Sequence, residues 1–500
     1  MITNKIKYIA VFICGLFVTT ACNDQLDTEP QGIYTNTTFY QTEAHAIFTV
    51  NAVYEITAFS TIKNSLWVFG DVASDDAIKG GNPGDQSDIN FINDFNTNPD
   101  NGFVEGIWKQ YYEGITRANK TIFYVPSIEM DDELKERIVG EAKFLRAYFY
   151  FHLVNIFGEI PLKTIPAFSP DELQVPTSSV SEIYAQIETD LSEASEVLPE
   201  SFSGSELGRA TKGAALALYA KVLLFQEKWD QALDQVTQVE GLGYSLMPVY
   251  GQNFQLPFEN NSESIFEIQH LAEQNPFTGS SLNQWFSPFD ESGYFFNAPT
   301  QDFVDEFEVT AGDVVDPRLD YTVGREGQKW LNGEDFNPEW SPSTGYLVKK
   351  HSQPLSEVGK GRKGDGDLNY TFMRYAEILL IKAEVLNELG RSAEALFPLN
   401  EVRTRARESY LFDPELPGSG TIPDNLLPDI TSTNASTLRD AIRHERRVEL
   451  GMEFHRFFDL MRYGKTVAER ALSDTNFNYD QTRYFPIPQS EKDTNKAITN

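Results

Sequence analysis

Three groups of residues in this chain have the types and spacing to do chemistry. The first is aromatic: Trp285, Tyr294, Phe295, Trp330 and Trp340 lie in a stretch rich in Gly, Pro and Asn. Sugar capture needs flat apolar surfaces against the C–H faces of the rings, and Trp and Tyr give that area at low entropy cost. The competing use of the same rings is to fill small cores under long loops. The second group is Asp75 and Asp76, ahead of the turn-rich run "AIKGGNPGDQSDINF". Their carboxylates suit hydroxyl recognition, or the capping and turn-forming that Asp does elsewhere. The third is "HERRVELGMEFHR", in which Glu445, Arg446, Glu449, Glu453 and Arg456 recur at helical steps and can pair along one face. Paired carboxylates could serve a glycosidase. A scaffold ion network is the favoured reading, and it extends to Arg403, Arg405 and Arg407.

Other motifs carry less. "GDGDLN" sets Asp365, Asp367 and Asn369 at alternate positions, as in a calcium loop. The sixth position is Tyr370 and the twelfth Ala376, where Gly and Glu are required, so a polar turn suffices. The six His are scattered without a His-Glu-x-x-His pair, and neither a nucleophile elbow nor a phosphate-cradling loop occurs. No metal or cofactor is expected.

The chain begins with an address. Lys5 and Lys7 precede an apolar run from Ile9 to Val18, too short to span a bilayer, and small residues lead to Cys22. This is the layout of a secretory signal over residues 1–21, in the form where the cysteine is acylated. Thr19 stands where a larger aliphatic residue is usual. Several acyl chains hold firmly where one is marginal. Of the two cysteines, Cys14 leaves with the signal and Cys22 carries lipid, so the mature chain has no disulfide. A chain this long buries a core without one.

Formal charge is −33, and losing Lys5 and Lys7 makes the mature chain more acidic still. Such a surface repels phosphate backbones, which excludes nucleic acid as a partner class. Residues 22–40 read as a tether. Helical periodicity fills 41–240 and 371–500, with an irregular aromatic-rich segment over 241–370 between them; residues 22–500 are expected to form one unit. "ELKERIVGEAKFLRAYFYFHLVNIFG" carries a stripe of Ile138, Ala142, Leu145, Phe149, Leu153 and Ile156, stopped by Gly158 and Pro161. "KGAALALYAKVLLFQEKWDQALDQV" breaks near Glu227 and restarts at Trp229. In the pair "FMRYAEILLIKAEVLNELG" and "SAEALFPLNEVRTRA", Gly390 suits the C′ position, Ser392 the next N-cap, and Pro398 a kink. Alanines at 214, 220, 376 and 383 let helices approach closely. The fold class is mainly α: a helical scaffold of tetratricopeptide-like hairpins, or generic antiparallel pairs, with a large irregular ligand face.

The C-terminal runs "NYTFMRYAEILLIKAEVLNELGRSAEALFPLNEVRTRA", "LRDAIRHERRVELGMEFHRFFDLMRYGK" and "YFPIPQSEKDTNKAITN", with "CNDQLDTEP" and "GEAKFLRAYFYFHLVNIFGEIPL" near the start, resemble the SusD/RagB family of outer-membrane lipoproteins. The resemblance covers both ends and is weak over 241–370. It implies a lipid-anchored protein on the outer face of a Gram-negative outer membrane. It also implies a SusC-like TonB-dependent transporter as partner, and non-catalytic capture of an oligosaccharide for import. In some members the ligand is a peptide. It raises Asp75 and Asp76 as contributors to the ligand face. From the residues alone, a surface glycoside hydrolase using two carboxylates of the irregular segment stays open.

Overall fold

The computed structural model describes residues 39–59, 64–291, 293–359 and 364–498. The signal segment, Cys22 and all but the last residues of the tether lie outside the described residues. Among the described residues, ten helices of eight residues or more follow in order: α1 Glu43–Tyr54, α2 Gly102–Tyr124, α3 Asp132–Phe157, α4 Val180–Val197, α5 Lys212–Phe225, α6 Trp229–Glu240, α7 Tyr375–Glu388, α8 Ser392–Phe412, α9 Ala435–Leu450 and α10 Arg456–Tyr463. The strands are short: β1 Ala77–Gly80, β2 Ile160–Pro161, β3 Thr177–Ser178, β4 Ser264–Ile268, β5 Phe296–Pro299, β6 Val323–Gly324, β7 Leu347–Val348 and β8 Tyr370–Arg374. They form antiparallel pairs β1–β5, β2–β3, β4–β8 and β6–β7.

The helices pack in a row that largely follows chain order, α2 on α3, then α4, α5, α6, α7 and α8, with α9 against α7. Local sequence explains the boundaries. Ser179 and Glu182 form a reciprocal capping box at the start of α4. Gly158, at φ +74°, ends α3. The break between α5 and α6 falls where the sequence placed it, with Glu227 in the left-handed region. Ala214, Ala220, Ala376 and Ala383 are buried at the helix contacts. The hairpins are present; their tetratricopeptide character stays a proposal.

Three local expectations change. The apolar stripe of α3 widens, because nearly every residue from Phe144 to Phe157 is buried and this half of the helix is core on all sides. Ser392 is the first helical residue rather than the cap, and its hydroxyl donates to Asn387 Oδ1 instead. The last long helix divides: α9 ends at Leu450 and α10 starts at Arg456, with Met452 and Phe454 at positive φ between them. A Cβ at Gly451 would stand 2.3 Å from the Phe303 ring, so the chain turns where only Gly fits.

That turn decides what the Arg/Glu-rich run does. Its members do not pair along one face. Glu449 accepts from Arg318, Arg374 and Arg405; Glu445 accepts from Arg318 and Arg403; Glu453 accepts from Arg374 and Lys350. All three carboxylates are buried. Despite the cost of burial, the three surrounding guanidiniums hold Glu449 well below the usual carboxylate range, and Arg374 and Lys350 hold Glu453 at about 2. Lys350 is pushed down to about 8 by burial. The network joins α8 and α9 to Glu263 just before β4, to β8 and to the segment around Arg318, so it fixes the irregular segment to the helices. Asp365, Asp367 and Asn369 likewise bind backbone, accepting from the N–H groups of Glu273, Ala272 and His270.

Candidate functional site

The irregular segment brings its aromatic residues together through residues 282–299. A five-residue helix, Leu282–Phe286, turns Trp285 inward, where its ring lies 5.6 Å from Trp67 and 5.3 Å from Phe296. Tyr294 sits over that pair, 5.8 Å from Trp285 at 60°, with 38% of its surface exposed. Gln284 Nε2 donates to its hydroxyl at 3.0 Å. Phe295 has φ +46°, a backbone conformation that costs a bulky residue energy and needs its surroundings to hold it. Its ring joins a second cluster with Trp330, Phe336 and Leu347, against which Trp340 packs.

A short turn, Phe289–Glu291, links the two clusters. Asp290 Oδ2 accepts from Trp340 Nε1 at 3.1 Å. Glu291 accepts from Trp330 Nε1 at 3.2 Å and from Asn332 Nδ2 at 2.9 Å. Burial raises the Glu291 carboxyl above its ordinary value; the Trp330 hydrogen bond opposes that and nearby Glu334 adds to it. Phe289 projects into solvent at 68% exposure. Trp340 stands edge-on to Phe336, 5.5 Å away at 87°, and is half-buried. Strand β1 supplies the other rim. Its register against β5 sets Gly80 opposite Phe296, and Gly81 N donates to Phe295 O at 2.8 Å. The turn that follows is stiffened from below by Lys79, whose Nζ donates to Asn82 O and Asp85 O and lies 5.2 Å over the Phe296 ring.

The residues expected from sequence therefore separate. Tyr294 and Trp340 present ring surface. Trp285 and Trp330 do not: at 5% and 2% exposure they are the layers beneath, so their expected role as open platforms passes to the rings they support. Asp75 and Asp76 are drawn elsewhere. They precede β1 at the end opposite its turn, where Ala77 pairs with Pro299. Asp75 takes Arg456 in a two-bond clasp at 2.8 Å each, and Asp76 accepts from Arg447 Nε at 2.8 Å. Arg447 also binds Asp302 and Glu306. Burial raises Asp76 to about 6 against the pull of both arginines, whereas the Arg456 and Arg447 charges outweigh burial and lower Asp75. These two carboxylates bind α9 and α10 to β1 and are occupied by guanidinium. Gln284, Phe289, Asp290, Glu291 and Asn332 were not singled out in the sequence. The signal was "SPFDESGYFF", two acids between aromatics, but their indole partners lie some 40–50 residues away.

The resulting surface offers two partly exposed rings, an exposed Phe, and oxygens fixed by indole and amide donors. An ionised carboxylate has about four lone-pair positions, so Asp290 keeps acceptor capacity after taking one indole N–H. Among the described residues no group of three or more His, Cys, Asp or Glu is placed to hold a metal ion, and no helix is long and apolar enough to cross a membrane.

A family model described as the SusD family matches residues 262–500, and one described as starch-binding associating with outer membrane matches 56–224. SusD-like protein P2 of Formosa agariphila is 26% identical, with 96% of each chain covered. A solved laminarin binding SusD-like protein is 30% identical over 92% of this chain and 99% of its own, with a TM-score of 0.76. Surface glycan-binding protein A from Bacteroides thetaiotaomicron, solved in complex with laminarihexaose, aligns with a TM-score of 0.75 over 91% of this chain and 98% of its own. Its 22% identity speaks to the fold alone.

Proposed function

This chain belongs to the SusD family, and on that premise we propose that it captures an oligosaccharide on the Tyr294–Trp340 surface without cleaving it. It then delivers the glycan to a SusC-like TonB-dependent transporter, while acylated Cys22 tethers it to the outer face of the outer membrane. The observation that carries the binding reading is the pair of partly exposed rings, each backed by a buried Trp and oriented through a side-chain hydrogen bond. That is preorganised stacking area, which binds a flexible polyol at less entropic cost than mobile side chains would. The outer-membrane description of the second matching family model and the laminarin bound by the 30% identical relative support the same class.

The non-catalytic reading rests on what the carboxylates already do. Glycosidases need one carboxyl to give a proton and a second to attack or activate water. Glu445, Glu449 and Glu453 are buried among guanidiniums and cannot reach a substrate, and the 30% identical relative is described as binding laminarin. Native-gel retardation by soluble polysaccharides tests the site: the wild-type chain is retarded by at least one glycan, and Trp340→Ala weakens that retardation. Equal retardation of the variant overturns the placement of the site. Retardation by no glycan, with binding to peptides, moves the ligand to the peptidic class.

A further inference from the structure

A second cleft lies behind the aromatic cluster. It has a volume of ≈ 390 Å³, inside the range of about 300–1,000 Å³ usual for small-ligand sites. Three distant parts of the chain wall it: the start of the irregular segment with Gln252 and Gln255, a later part of it with Tyr321 and Lys349, and the end of α8 with Phe412. The buried Trp330 ring also lines it. Since Trp330 gives its Nε1 hydrogen to Glu291, one indole backs both the cleft and the surface carrying Tyr294 and Trp340.

The lining has its own chemistry. Phe412 is 57% exposed and offers a ring face. Lys349 Nζ donates to Asp320 O at 2.8 Å and Lys329 O at 3.0 Å. These bonds fix the ammonium at the cleft wall and leave the third of its three protons for a ligand oxygen. Burial lowers Lys349 to about 8, so it stays mostly protonated at neutral pH. Tyr321 gives its hydroxyl hydrogen to the Asp413 carboxylate, which also accepts from Glu415 N at 2.9 Å. The Glu415 carboxylate is exposed at the rim. Ring surface, amide donors, two ammonium groups (Lys329 and Lys349) and two carboxylates (Asp413 and Glu415) together make a site of balanced charge, suited to an uncharged ligand with hydroxyls in several directions.

We propose that this cleft is a second carbohydrate-binding site, taking a terminal or branch pyranose unit independently of the Tyr294–Trp340 surface. The class of ligand rests on the glycan reading above; the existence and position of the second site do not follow from it. Two contacts on one polysaccharide would raise its apparent affinity through effective concentration, with no stronger contact at either place.

The test is calorimetry of the mature chain lacking Cys22, titrated with laminarihexaose and with maltohexaose. Gln255→Ala/Phe412→Ala alters two exposed residues of the cleft, and Tyr294→Ala/Trp340→Ala alters the aromatic surface. The expected result is two molecules bound per wild-type chain. The cleft variant loses one, its affinity falling roughly tenfold or more, and keeps the other. The aromatic-surface variant shows the converse. Circular dichroism and melting temperature, unchanged in the cleft variant, exclude unfolding as the cause. A single bound molecule that the cleft variant leaves untouched overturns the second site while the first stands. Binding of neither hexasaccharide overturns the carbohydrate assignment of the cleft, whereas the proposed function falls only if no soluble polysaccharide binds the chain.

Discussion

Replacing Tyr294 by Ala should weaken glycan binding by about 25-fold. An aromatic side chain has roughly 200 Å² to cover, and 38% of Tyr294 is exposed, which leaves roughly 75 Å² available to a ligand. At about 25 cal/mol per Å², covering that area contributes about 2 kcal/mol, and each 1.4 kcal/mol is tenfold in affinity. Tyr294→Phe retains the ring and its contact with Trp285 and loses the bond from Gln284, so it should stay within roughly threefold of wild type. Calorimetry with the polysaccharide bound by wild type measures both. Affinity within twofold of wild type for Tyr294→Ala, with an unchanged circular dichroism spectrum, would refute the ring as a platform. Equal losses in Phe and Ala would place the effect on the hydroxyl rather than on stacking.

Three further outcomes are expected, the first two from the charge network and the third from the signal at the start of the chain. Glu449→Gln leaves Arg318, Arg374 and Arg405 around a neutral amide and should cost about 3–5 kcal/mol in urea unfolding; a loss below 1 kcal/mol would contradict the network's role. Glu449 and Glu453 have folded values depressed below the ordinary Glu range near 4.3, so the folded state holds fewer protons than the unfolded one. Their stabilisation is complete above about pH 5 and fades as pH falls toward about 2, so the urea midpoint should drop across that window, and less steeply in Glu449→Gln. Cys22→Ser, expressed with its leader, should leave the outer-membrane fraction; retention there without acylation would remove the lipid tether.

How far the sequence was legible depends on the range of the interaction that decides each feature. Helix boundaries set by neighbours were readable: the stop at Gly158 and the break near Glu227 both act within a few residues. The division at Gly451 was not, because it depends on Phe303, far along the chain. The aromatic residues were found as a group, but burial sorted them. Trp285 and Trp330 went inside because Trp67, Phe296 and Phe336 supplied partners, and no periodicity over 241–370 reports such a face. Asp75 and Asp76 looked like ligand groups because their counter-ions, Arg447 and Arg456, lie more than 370 residues away. Charge spacing in α9 predicted pairing, but the partners came from Arg318, Lys350 and Arg374 rather than from the same helix.

Non-catalytic glycan capture is tested most directly by calorimetry of the mature chain lacking Cys22 against soluble polysaccharides, with product analysis on the same samples. Saturable binding to at least one glycan, with its chain length unchanged after prolonged incubation, is the expected result. Shortened products from purified protein would contradict it and return Asp290 and Glu291 to consideration as catalytic carboxylates.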